Sequence, residues 1–163
     1  MTHAAKIEHV QARLMGMMPS ELVKPFGLQI GHTRLKDLEE NFVVTCEQGR
    51  GFTSGPVVQV IPRYQEDLQV ECVVLAFDEH NKLDAAWFTI ESSQYETAID
   101  TLRNAFDLVN TNDPIKGSRS ALFAYKDGQI AVHAPLFSKE MTVGYRTERF
   151  NKARMDAAAE AFE

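Results

Sequence analysis

A thiol at Cys46 with His80 or His133 as its base would make a nucleophile and general-base pair. A catalytic thiol needs an electropositive, partly exposed setting, because the thiolate is the attacking species. Cys46 is instead framed by Val43, Val44, Thr45 and the acidic Glu47, and it reads as a structural thiol. Asp78, Glu79, His80 and Asp84 bring together enough acceptors for a cation, but they straddle a hairpin turn and follow no ligand spacing. They read as a solvated turn, and neither a metal nor a cofactor is expected. Gly49-Arg50-Gly51-Phe52-Thr53-Ser54-Gly55 has the glycine content of a phosphate cradle. It lacks a Lys-Ser or Lys-Thr after the last glycine, and Pro56 opens a strand where a phosphate loop needs a helix N-terminus. A hairpin loop is the better reading. His133 reads as a sheet histidine, and Trp87 and Phe88 lie in a strand with apolar groups on both faces. No Ser/His/Asp arrangement follows from spacing, so no catalytic residue is assigned.

The elements that position these residues follow from periodicity. Ser93-Gln-Tyr-Glu96 has the form of a capping box. Tyr95, Ile99, Leu102, Phe106 and Val109 then step by four, three, four and three, the spacing of one helix face, with Asp100, Arg103, Asn104 and Asp107 opposite. Asn110, Asn112 and Pro114 stop that helix. Ser120–Tyr125 and Gln129–Leu136 flank Lys126-Asp127-Gly128 and predict a hairpin, because both turn positions tolerate positive φ. From about Thr147 to Phe162 good helix formers predict a closing helix, with Phe150, Ala153, Ala157 and Ala161 as its stripe. Met155, Ala158 and Phe162 widen that stripe and imply contact on two sides.

Before the central helix, a first helix is predicted over Thr2–Met17, with a methionine cluster at its end and a further turn capped by Ser20. Five strands follow: Phe26–Leu35, Asn41–Glu47, Val57–Tyr64, Leu68–Phe77 and Leu83–Glu91. Their connections are too short for crossover helices, so the sheet is expected to be antiparallel and meandering. The fold class is α+β, a mainly antiparallel sheet packed by helices in the order α-βββββ-α-ββ-α. The chain is expected to form a single domain over residues 1–163, with no internal repeat.

Composition bounds the function. A chain of 163 residues can bury roughly 70% of the surface its unfolded form exposes. A formal charge of −6 and a pI near 5.4 argue against a nucleic-acid partner. No apolar run approaches the ~20 residues needed to span a bilayer. With no secretory leader in Met1–Lys6, Cys46 and Cys72 are expected to be reduced, buried thiols in a cytoplasmic protein.

From Tyr95 to Phe162 the pattern of helix, hairpin and closing helix resembles the type III secretion effector chaperones and the chaperone-like bacterial proteins that share their fold. Tyr95–Val109 looks like the family's central dimerising helix, Leu122–Leu136 like its second strand pair, and Phe150–Phe162 like its closing helix. The resemblance implies a homodimer that binds a segment of another protein in apolar grooves and along strand edges, without catalysis. Tyr95, Ile99, Leu102, Phe106 and Val109 are then the partner-binding or dimer residues. Five strands before the central helix exceed the three or so usual in that family. Two other readings stand beside it: a small-ligand-binding protein or enzyme with a pocket between sheet and central helix near Cys46, Trp87 and His133, and an acidic inhibitor or immunity-type protein facing a basic partner.

Overall fold

The computed structural model describes residues 22–63 and 70–161. The first helix, its methionine cluster, the Ser20 turn, the Gln65–Asp67 connector and Phe162 lie outside the described residues. Eight antiparallel strands form one sheet: β1 (Phe42–Arg50), β2 (Ser54–Pro62), β3 (Cys72–Asp78), β4 (Leu83–Glu91), β5 (Leu108–Asn112), β6 (Arg119–Tyr125), β7 (Gly128–Ala134) and β8 (Glu140–Arg146). Helix α1 (Tyr95–Ala105) separates β4 from β5, and α2 (Glu148–Glu160) follows β8. The fold is α+β with the sheet dominant. Strand order is β1-β2-β3-β4-β8-β7-β6-β5, two meanders that meet where β4 pairs with β8. Within each meander strands consecutive in the chain are neighbours in the sheet, and α1 carries the chain to the far edge so that the second meander can return.

Directly paired residues share a face, so the register sorts the side chains. Val60, Val73, Phe88, Val143, Val132 and Ala121 form one continuous row on the first face. Val58, Leu75, Ala86, Tyr145, Ile130 and Phe123 form the next. These rows are buried beneath Leu22, Leu28, Ile30 and Leu38 from the N-terminal segment and beneath Tyr95, Ala98, Ile99 and Leu102 of α1. The buried Tyr145 hydroxyl donates to the Leu22 carbonyl at 2.5 Å, and burial raises its pKa.

Several expectations need correction. Phe26–Leu35 is not a strand: the chain turns through positive φ at Phe26, Gly27 and Gly31, although Leu28 and Ile30 are buried. Among the described residues four strands therefore precede α1. The Ser93 capping box does not form. A 3-10 turn over Ser92–Gln94 leads into α1, and the Ser93 hydroxyl donates to Glu91 at 3.4 Å. Phe106 is extended (φ −137°, ψ 158°), which ends α1 at Ala105, and β5 begins two residues later at Leu108, so Val109 belongs to a strand. Strand β8 was not expected, and it is the seam between the two meanders.

The Lys126-Asp127 turn joins β6 to β7, with Tyr125 opposite Gly128. A Cβ at Gly128 would lie 1.9 Å from the Arg146 carbonyl oxygen, so glycine is required there by close approach. The Gly49–Gly55 loop is the β1–β2 hairpin, closed by an Arg50 guanidinium that donates to the Ser54 carbonyl at 2.6 Å.

Candidate functional site

Helix α2 packs on the sheet face opposite the main core. Thr147 caps it, accepting from the Phe150 N–H at 3.1 Å and donating to the buried Asp84 carboxylate at 3.2 Å. Phe150, the helix's one fully buried side chain, lies against Val57, Ala76, Ala85 and Trp87. Arg149 reaches the β3–β4 turn, bonding Asp78 at 3.4 Å and Glu79 at 3.0 Å. Asp78 also accepts the His80 and Lys82 N–H groups at 2.8 and 2.9 Å. Asp78 and Asp84 are thus buried anchors of a turn and a helix, where a solvated turn had been expected. Met155 and Ala158 are exposed, so α2 is packed on one side only.

Most of this second face is not covered by α2. One row crosses all eight strands: Cys46, Gln59, Val74, Trp87, Gly144, Ala131, Leu122 and Asn110. Val74, Trp87, Ala131 and Leu122 are half-buried. The Trp87 ring lies across Gly144, where an added Cβ would sit 2.9 Å from its Cδ1, and Phe150 meets the same ring edge-on at 5.5 Å. Beyond Gly144 the row enters a hollow of about 260 Å³ lined by Asn110, Ser120, Leu122, Ala131 and His133. The face therefore offers an aromatic platform and an adjoining recess with an apolar floor.

One end of this face is acidic. Glu91 pairs with Glu140 across β4 and β8, and Glu71 lies beside them. The hydrogen bond with Glu140 raises the Glu71 pKa most, followed by partial desolvation and the charges of Glu140 and Glu91. Crowded carboxylates of this kind are relieved by a cation.

The sequence-derived candidates fall in different places. Tyr95, Ile99 and Leu102 are buried in the chain's own core, and Phe106 packs at its margin; they form no exposed partner or dimer face. Val109 is exposed on β5. Cys46, Trp87 and His133 lie on the face opposite α1, so the pocket imagined between sheet and central helix does not contain them. Cys46 and His133 are five strand spacings apart, roughly 24 Å, too far for a nucleophile and its base. Cys46, on edge strand β1, is exposed, and Cys72, at the start of β3, is half-buried, where two buried thiols are expected from the sequence. Among the described residues no group of three His, Cys, Asp or Glu side chains is placed to hold a metal ion, and no helix is long and apolar enough to cross a membrane.

Trp87 and His133 stand out in the sequence by residue type, whereas Val74, Leu122, Ala131 and Gly144 do not. Adjacent apolar residues at Leu122-Phe123 and Ala131-Val132 mark strands with apolar groups on both faces, the one local signal for this row. The pairing of β4 with β8 supplies the remaining information. Comparison with family models, curated proteins and solved structures finds no match to this chain.

Proposed function

We propose that this chain is a non-catalytic protein-binding module that holds an apolar segment of a partner protein, flanked by basic residues, on the sheet face around Trp87. The observation that carries this reading is the half-buried Val74, Trp87, Ala131 and Leu122 row, left open beside α2 and adjoining the hollow. Aromatic anchors next to recesses are where binding energy concentrates. Partner charge follows from complementarity: the Glu71, Glu91 and Glu140 carboxylates lie about 13 Å along β4 from Trp87, and the chain carries a formal charge of −6.

The homodimer in this reading uses β1, because the α1 face is occupied by the core. Edge strand β1 leaves Val43 and Val44 exposed, and bulges after Val44 and Glu47 confine regular pairing to its first few residues.

Trp87 is the only tryptophan, so its emission reports on this face directly. Titration with short peptides that join apolar residues to lysines should give a saturable blue shift, while analogues with glutamate in place of lysine should bind weakly. Glu140→Gln should weaken the lysine peptide and stabilise the free chain at neutral pH. The sign follows from Glu71: with its folded pKa raised, its favourable contribution is complete below the ordinary carboxylate range and is lost as pH rises through the raised value. Glu140→Gln should therefore flatten stability against pH in that window. Equal binding of lysine and glutamate peptides would overturn the charge assignment.

A further inference from the structure

Two arginines meet at the seam between α2 and the sheet. Arg146 shares a face with Ala85 and Gln129, its partners on β4 and β7, and Ala85 packs under Phe150. Arg154 lies one helical turn beyond Phe150, which places it on the same sheet-facing side of α2. The Nε atoms of both guanidinium groups are buried and make no hydrogen bond. Arg154 Nη2 donates to Asn151 Oδ1 at 3.0 Å, and among the described residues neither arginine is in an ion pair. Loss of water and the neighbouring Arg154 charge both lower the Arg146 pKa.

Two guanidinium groups brought together with buried, unused donors repel each other and lose hydration. An oxyanion between them reverses both effects. It attracts each charge, and its lone pairs fit the planar donor fork of arginine. We infer that Arg146 and Arg154 form a binding site for an oxyanion, a phosphate or carboxylate group, at the seam between α2 and strand β8. The site does not depend on the partner-binding reading, because it is built from the helix–sheet seam and not from the open row.

The test uses the full chain labelled with ¹⁵N and follows the arginine Nε–Hε signals during titration with inorganic phosphate and, separately, acetate. Sodium chloride at matched ionic strength is the control. Phosphate or acetate should move the Arg146 and Arg154 signals together, with one shared saturation curve that chloride does not reproduce. Stronger binding of phosphate identifies a phosphate-type ligand, and stronger binding of acetate identifies a carboxylate, as from an acidic side chain or chain terminus. Arg154→Gln and Arg146→Gln should each weaken the preferred anion roughly tenfold or more, with folding verified by circular dichroism. Arg154→Lys should restore part of the affinity, since it keeps charge but loses the fork. Signals that stay fixed, that follow ionic strength alone, or that shift alike in wild type and the glutamine variants overturn the inference. The wild-type titration decides the matter even where a variant fails to fold.

Discussion

Phe150→Ala is expected to lower the stability of the chain by about 3–5 kcal/mol, the range for removing a large aromatic from a packed site. Phe150 is 1% exposed, and its ring meets Trp87 at 5.5 Å and Phe52 at 5.7 Å, both edge-on. The other attachments of α2 are weaker. Arg149 is half exposed, and exposed ion pairs contribute about 0–1 kcal/mol. The Thr147 cap contributes about 1 kcal/mol. Without Phe150 the helix should therefore detach, while the core on the opposite face still holds the sheet together. Urea unfolding measures the loss, and Trp87 emission should shift to the red as its ring gains water. A loss below about 1 kcal/mol would show that the cap and the Arg149 bridge hold the helix by themselves.

Leu122→Glu is expected to weaken binding of the apolar-basic segment by about 2–4 kcal/mol, the cost of losing a hot-spot contact. Leu122 forms part of the hollow's floor beside Ala131 and is only half-buried, so the free chain should lose little stability. The carboxylate instead leaves a charge that an apolar partner residue cannot compensate. Peptide titration and thermal unfolding separate the two effects. Wild-type affinity in a folded Leu122→Glu variant would remove the hollow from the binding surface.

Local pattern was enough to read some of the architecture. Leu83–Glu91 alternates between two apolar faces and is β4 over those bounds, and Lys126-Asp127-Gly128 forms the expected hairpin turn. Thr147 marks the start of the closing helix because its side chain is the cap. Where non-local contacts decide, local pattern points elsewhere. The apolar spacing continues past Ala105 to Val109, but pairing with β6 draws Leu108–Asn112 into a strand. The polar stretch after Pro135 conceals β8, whose Met141, Val143 and Tyr145 face the core while Thr142 and Arg146 lie on the other side. Cys46 alternates with valines as a buried residue would, but it sits exposed on an edge strand.

The candidate site was legible only in part, for the same reason. Trp87 and His133 attract notice by residue type. Gly144 matters because β8 runs beside β4 and the Trp87 ring lies over it, a relation set by sheet order. Arg146 and Arg154 are eight residues apart and look like ordinary surface charges until the helix folds back across the strand.

The most direct test is to map by NMR cross-saturation which side chains contact a bound apolar-basic peptide. The account predicts contacts at Val74, Trp87, Ala131 and Leu122, with the basic end beside Glu91 and Glu140. Contacts confined to the α1 side of the sheet, or to the β1 edge alone, would contradict it.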